Sequence, residues 1–340
     1  MSTARPVPKI NRQIKLAARP VGLPKESDFS LVDSPMPAPA EGQALVEITH
    51  LSVDPYMRGR ITGIRTYADP VNIGDVMQAG AVGQVIESKT PELAVGDFVG
   101  GYWGWQEFAA VDPKSVRKLD PKLAPVSTAL GVLGMPGMTA YFGFLDICKP
   151  QAGETVLVSG AAGAVGSLVG QIAKIKGCRA VGIAGTDDKV DWIVKELGFD
   201  SAFNYKKAAD YGEKLKEFCP DGIDCYFDNV GGSTTDAVFP RMNTFGRISI
   251  CGQISQYNLA KPEQGPRLLS QVLVKQLKVD GFIVTRFQSR FGEGIAQMAQ
   301  WIKEGKLKYR EQVVEGFENT PKAFIAMLQG ENTGKMLVKL

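Results

Sequence analysis

Small residues crowd Gly160-Ala161-Ala162-Gly163-Ala164-Val165-Gly166. Before them stands a β-branched run, Thr155-Val156-Leu157-Val158-Ser159, and after them Val165, Leu168, Val169, Ile172, Ala173 and Ile175 recur at helical spacing. A strand, a tight turn and a helix in that order gather backbone N–H groups and the positive end of a helix at one point, which favours a phosphate. Small residues alone would merely turn a chain; the flanking elements predict a nucleotide site. The next strand, Arg179-Ala180-Val181-Gly182-Ile183-Ala184, runs into Gly185-Thr186 without the carboxylate that takes a ribose 2′-hydroxyl in an NAD site. Gly185 leaves room, Thr186 offers a hydroxyl and Lys189 a cation one turn on, the set that a 2′-phosphate needs. NADPH rather than NADH is therefore expected. Asp187 and Asp188 read as first-turn residues serving the helix N-terminus.

These groups need a scaffold, and the pattern supplies one. Residues 1–125 read as β-rich, with short strands at 13–17, 29–32, 44–51, 82–87 and 107–111 separated by Pro- and Gly-containing turns. That pattern predicts a compact, mainly antiparallel, barrel-like domain. A helical segment is expected over 124–144. From about residue 153 strand and helix alternate: after the first two strands come strands at 201–205, 223–228, 247–251 and 278–284, with helices at 187–197, 208–218 and 234–242 between them. This is the signature of a doubly wound parallel sheet. Beyond residue 305 the chain is expected to return to the first domain through strands at 309–315 and 336–340 and a helix at 321–328. The expected division is thus 1–125, 126–308 and 309–340.

With 340 residues, 44% hydrophobic and 22% charged, the chain has the composition of an ordinary globular protein of two domains. A net charge of +3 is too small to argue for nucleic acid or a membrane surface, and neither is expected as partner. No apolar run is long enough to span a bilayer, and Arg5, Lys9, Arg12 and Lys15 interrupt the N-terminal stretch, so a cytoplasmic protein is expected. Cys148, Cys178, Cys219, Cys225 and Cys251 follow no disulfide spacing and fit a reducing compartment.

Beyond the glycine turn, several segments carry a resemblance: Val53-Asp54-Pro55-Tyr56-Met57-Arg58-Gly59, Met135-Pro136-Gly137-Met138-Thr139-Ala140-Tyr141, Asp228-Asn229-Val230-Gly231-Gly232, Cys251-Gly252-Gln253-Ile254-Ser255-Gln256-Tyr257-Asn258 and Glu315-Gly316-Phe317-Glu318-Asn319. Over nearly its whole length the chain resembles the medium-chain dehydrogenase/reductase superfamily, and most closely the zinc-free branch of prostaglandin, alkenal double-bond and curcumin reductases. The resemblance implies an α/β Rossmann domain inserted in a GroES-like β-rich domain, NADPH-dependent reduction of the carbon–carbon double bond of α,β-unsaturated ketones or aldehydes, and a homodimer. Cofactor contacts carry over to Ala162, Gly163, Val165, Lys189, Tyr205 and Asn229, to the 251–257 loop with Cys251, Gly252, Ile254, Ser255 and Tyr257, to Phe282, Ile283 and Val284, and to Asn332. Ala164 and Gly166 join them as part of the glycine turn. Asn229, Cys251 and Phe282 also stand at the carboxyl ends of expected parallel strands, where such sheets bind ligands. Tyr205 ends the third strand, suited to touch an adenosine or to cap the sheet edge.

Zinc members of the superfamily draw Cys and His ligands from the first domain. This chain has no cysteine before Cys148 and a single histidine, His50, so no metal is expected. The substrate carbonyl must then be polarised by hydrogen bonds, and a neutral phenol can stabilise an enolate and help protonate the α-carbon. Tyr257 is the first candidate, closing the loop after the fifth strand; Tyr67 and Tyr56 in the first domain follow, and each also suits packing. Where mammalian relatives carry a tyrosine before the sixth strand, this chain has Val274. Tyr102, Trp103, Trp105, Met57, Met135 and Phe287 are suited to line an apolar pocket and equally to ordinary core and sheet packing. A quinone reductase on the same fold and a non-catalytic NADPH-binding protein are the competing readings.

Overall fold

The computed structural model describes residues 9–340, so Arg5 of the N-terminal stretch lies outside the described residues. The chain forms two compact units, one of residues up to Leu130 with Val313–Glu331 and Met336–Leu340, the other of Gly131–Gln312 with Asn332–Lys335.

The first unit begins with β1 (Ile10–Leu16) and β2 (Phe29–Pro35), an antiparallel pair. Then come β3 (Ala44–Ser52), the short helix α1 (Met57–Arg60), β4 (Ala81–Ser88), β5 (Phe98–Gly101), β6 (Phe108–Val111) and β7 (Arg117–Leu119). β5 and β7 are additions to the expected strands; four and three residues are too short to show a period of two. Inside the unit Trp105 is fully buried, its ring 5.4 Å from Phe29 and 5.8 Å from Phe324.

The helix expected over 124–144 is cut in two, one part at the end of the first unit's opening stretch and the other at the start of the second unit. A 3-10 turn covers Val126–Leu130, and α2 runs over Met135–Leu145 with Pro136 in its first turn. Gly137 shows why the break is there: a Cβ on it would sit 1.8 Å from the carbonyl oxygen of Val132, so the chain folds back on itself at a spot that only glycine fills. β8 (Thr155–Val158), α3 (Gly166–Ile175), β9 (Arg179–Ala184), α4 (Asp187–Lys195), β10 (Ser201–Asn204), α5 (Tyr211–Phe218), β11 (Ile223–Asp228) and α6 (Gly232–Val238) alternate as expected. The helix expected over 234–242 ends early, because Pro240 turns its last residues into a 3-10 segment, and β12 (Met242–Ile250) starts sooner than expected. After α7 (Leu269–Val274), β13 stops at Gly281 (Lys278–Gly281) rather than at 284, and a 3-10 segment over Val284–Arg290 leads into α8 (Phe291–Lys303). The chain closes with β14 (Glu311–Glu315), α9 (Thr320–Leu328) and β15 (Lys335–Lys339).

The six strands β10-β9-β8-β11-β12-β13 form one parallel sheet in that order. This is the dinucleotide-binding order, reversing between β8 and β11. Alternation along the strands splits the core: Val156, Val158, Cys225 and Phe227 join the cluster under α2, α3 and α8, while Leu157, Val181, Ile183 and Tyr226 join the one under α5 and α6. The other large sheet orders β14-β15-β3-β4-β5-β7, with β6 also on β3. Its pairings within the first unit are antiparallel.

Candidate functional site

β8 is a buried four-residue strand, and the chain leaves it through Gly160 at φ +59. The Gly163 N–H then donates to the Gly160 carbonyl at 3.0 Å. A Cβ on Gly166 would lie 2.4 Å from that same carbonyl and 2.9 Å from the Ala161 Cα, so the first turn of α3 packs backbone to backbone against the loop. Among the described residues the N–H groups of Ala164, Val165 and Gly166 donate to no acceptor. Three bare donors at the start of a ten-residue helix fit a phosphate. The Gly334 N–H donates to the Ala162 carbonyl and the Asn332 Nδ2 to the Gly334 carbonyl, both at 2.8 Å, which sets Asn332 beside the same loop.

At the end of β9, Thr186 caps α4, its hydroxyl accepting from the Lys189 N–H at 3.3 Å. The Tyr205 ring, 41% exposed, lies 3.2 Å from where a Cβ on Gly185 would be, and the Lys206 Cε lies 3.7 Å from that point. The space beside Gly185 is thus bounded by a ring and a second cation. Lys206 carries no signal of this in the sequence, since only the pairing of β9 with β10 brings it there. Asp187 does not simply serve its helix end. Lys207 and Asn204 bond its carboxylate and hold it below the usual carboxylate range, so its charge is taken up locally.

The ends of β11 and β12 are tied to each other. The Ile254 N–H donates to the Asn229 carbonyl at 3.3 Å, and the Ser255 N–H and hydroxyl donate to the Val230 carbonyl at 3.1 and 2.7 Å. The N–H groups of Cys251 and Gly252 donate to the Asp228 carbonyl. Burial, with Asp228 nearby, pushes the Cys251 thiol up to about 12, so it stays protonated and is no nucleophile. The Tyr257 phenol oxygen turns back on its own loop, accepting from the Gln253 N–H at 3.1 Å. After β13, Phe282 turns inward: it lies edge-on to Phe227 at 6.4 Å, and a Cβ on Gly143 would overlap its ring. Its backbone and the half-exposed Ile283 and Val284 are what this segment offers to a ligand. Val274, the last residue of α7, is 75% exposed.

Tyr56, Tyr67 and Tyr102 cluster in the first unit. The Tyr56 hydroxyl donates to the Tyr102 hydroxyl at 3.1 Å. The Arg60 guanidinium faces the rings of Tyr67 and Tyr56. Its Nε is buried without a hydrogen bond. Burial raises Tyr56 well above the ordinary phenol value, with Asp54 adding to it. Burial also raises Tyr67 and Tyr102, and Arg60 opposes the rise in both. All three phenols therefore stay neutral hydrogen-bond donors at neutral pH. Arg60 carries no signal in the sequence, since its spacing from Tyr67 says nothing of ring contact. Three of the expected pocket-lining residues are core instead: Met57 and Trp105 are fully buried, and Phe287 stacks on Phe142 at 5.2 Å.

Residues 12–119 match the family described as the N-terminal domain of oxidoreductase, and residues 164–301 the one described as zinc-binding dehydrogenase. The residues do not fit the zinc of that description, because among the described residues no three His, Cys, Asp or Glu side chains come together to hold a metal. The chain is 44% identical over 335 residues to the NADPH-dependent curcumin reductase of Escherichia coli (strain K12), covering 97% of both chains. It is 47% identical over 322 residues to prostaglandin reductase 1 of Rattus norvegicus, covering 94% of this chain and 95% of the other. The crystal structure of CurA in complex with NADPH from Vibrio vulnificus superposes with a TM-score of 0.93 at 48% identity, covering 96% of this chain and 98% of that one. The chain belongs to the medium-chain dehydrogenase/reductase family, in the branch of NADP-dependent oxidoreductases that holds the prostaglandin, alkenal and curcumin reductases.

Proposed function

We propose that this protein is a cytoplasmic, NADPH-dependent reductase of the carbon–carbon double bond of α,β-unsaturated ketones and aldehydes. The observation that carries the reading is the row of bare N–H groups at Ala164, Val165 and Gly166, followed one strand later by Gly185 with Tyr205 and Lys206 beside it and Lys189 in the first turn of the next helix. That set suits a pyrophosphate and a 2′-phosphate in succession. NADPH, when bound, supplies a hydride to the β-carbon of the enone. The 162–166 turn, Lys189, Tyr205, Asn229, the 251–257 loop, 282–284 and Asn332 hold the cofactor. A neutral phenol, Tyr257, Tyr67 or Tyr56, hydrogen-bonds the carbonyl oxygen as negative charge grows there and gives the α-carbon its proton directly or through water.

The named acceptors of the relatives, curcumin and prostaglandin, favour this reading over quinone reduction. A panel of enones, enals and quinones with NADPH and with NADH tests it. NADPH oxidation matched mole for mole by the saturated ketone, identified by mass spectrometry, supports the proposal; turnover with quinones alone refutes it.

The enzyme works as a homodimer in this reading. The outer edge of β13, the last strand of its sheet, and the exposed Leu269, Leu273 and Val274 of α7 are apolar or unpaired surface that a second copy would cover. Light scattering on the purified protein and on Leu273→Glu reads this directly: a dimer that the substitution splits supports it, and a monomeric parent protein refutes it.

A further inference from the structure

Asp228 is the last residue of β11, fully buried, and its carboxylate gathers donors from several elements. Its Oδ1 accepts from the Ser159 hydroxyl at 2.9 Å, the Tyr226 hydroxyl at 2.8 Å and the N–H groups of Val230 and Gly231 at 3.0 Å each. Its Oδ2 accepts from the Thr235 hydroxyl at 2.6 Å. Its backbone carbonyl takes the N–H groups of Cys251 and Gly252 at 2.9 and 3.0 Å. Ser159 doubles the link to the glycine turn, because its hydroxyl accepts from the Asn229 N–H at 2.9 Å and its carbonyl accepts from the Asn229 Nδ2 at 2.7 Å. A single buried carboxylate thus ties together the start of the glycine turn, the 229–232 loop and, through its own carbonyl, the 251–257 loop.

A buried carboxylate is costly, and here five donors balance the cost. Packing alone would be served better by an apolar residue of the same shape. What the carboxylate adds is direction: it fixes the backbone planes of Val230 and Gly231, and Gly231 in turn stands so close to the next loop that a Cβ on it would lie 3.0 Å from the Gln253 Cβ. We infer that Asp228 is a positioning residue that holds the three loops in the one arrangement able to take the pyrophosphate and nicotinamide portion of NADPH, an inference that rests on the NADPH reading above. The adenosine end lies apart from it in the sheet: Gly185, Lys189 and Tyr205 follow β9 and β10, whereas the donors to the Asp228 carboxylate are Ser159, Tyr226, Val230, Gly231 and Thr235.

The test compares the whole dinucleotide with its adenosine fragment. Affinities for NADPH and for adenosine 2′,5′-bisphosphate are measured by calorimetry on the parent protein, Asp228→Ala, Asp228→Asn and Ser159→Ala, each checked for a cooperative melt. Asp228→Ala leaves five donors unmet and is expected to lose about tenfold or more in NADPH affinity, with the fragment changed by less than about twofold. Asp228→Asn should recover most of the loss, because the amide oxygen keeps the Oδ1 bonds and the Thr235 hydroxyl can turn to accept. Ser159→Ala, which cuts one link, should fall between them and carries the test if Asp228→Ala does not fold. A folded Asp228→Ala that binds NADPH as the parent does overturns the inference, as does a loss shared equally by the fragment. A parent protein that binds the fragment and not NADPH, or neither, refutes the cofactor reading itself.

Discussion

The Arg60 guanidinium lies 4.7 Å over the ring of Tyr67 and 5.9 Å from the centre of the Tyr56 ring. Among the described residues no carboxylate pairs with it. Its charge acts on the phenols around it, pulling Tyr67 and Tyr102 back toward the ordinary value against the effect of burial. If Tyr67 donates to the substrate oxygen, its neutral form is the active one, and activity falls as the pH rises through its pKa. Removing the cation lets burial act unopposed and raises that pKa further. Arg60→Met should therefore move the alkaline limb of the kcat/KM profile to higher pH and lower its plateau roughly two- to fivefold, the weight of one cation–π contact and a weaker acid. Tyr67→Phe should abolish the limb; a limb that survives in Tyr67→Phe assigns it elsewhere.

Cofactor choice should turn on the Gly185 neighbourhood. Lys189→Glu places a carboxylate where a 2′-phosphate would sit and reverses the electrostatic preference. The ratio of kcat/KM with NADPH to that with NADH is expected to fall at least about tenfold, mostly through the KM for NADPH. Lys206→Ala should lower the same ratio by a smaller factor, since the Lys189 cation remains. A double variant no worse than Lys189→Glu would show that Lys206 takes no part.

Much of this arrangement was legible beforehand, for reasons that can be named. The alternation of short β-branched runs with amphipathic stretches gave away all six parallel strands, because a strand buried on both faces has little choice of residue, as Val156, Leu157 and Val158 show. What stayed hidden depends on tertiary contact. The split of the helix expected over 124–144 rests on a carbonyl lying against Gly137, Lys206 reaches Gly185 only across a strand pair, and Asp228 draws its donors from Ser159, 69 residues earlier, as well as from its own loop. Aromatic residues read two ways in the sequence: Trp105 and Phe287 suit a pocket wall or a core and are core, because a large ring satisfies either role and only its neighbours decide.

Gly166 offers a test of the glycine turn that does not involve a charged group. Its missing side chain lets the Gly160 carbonyl and the Ala161 Cα approach the first turn of α3. Gly166→Ala forces that turn outward, since the neighbours met are backbone atoms that cannot rotate away. A destabilisation of about 1 to 3 kcal/mol is expected, measured by urea unfolding, together with weaker NADPH binding from displaced N–H groups. Gly42→Ala meets open space but sits at φ +83, so it should cost stability, with NADPH affinity unchanged.

His50, the single histidine, makes the acid side of the stability profile readable. It stands on β3 opposite Lys339 of β15, whose ammonium ion-pairs with Glu315. The Thr49 hydroxyl gives its proton to the Val82 carbonyl, so its oxygen accepts from the His50 Nδ1 at 3.0 Å, which assigns the neutral ring a proton on Nδ1 and leaves Nε2 bare. Burial first, and Lys339 second, lower the pKa below 6.5, while Glu315 pulls the other way. A histidine depressed in the folded state costs nothing above 6.5, where both states are neutral. As the pH falls below that value the unfolded chain takes up a proton that the folded one refuses, so stability is lost until the folded pKa is reached. The melting temperature of the parent protein should therefore drop relative to that of His50→Gln between about pH 7 and pH 5.5, and the two curves should run parallel above about pH 7. A constant offset across the whole range would place the histidine in the solvent-like class and remove burial as the cause.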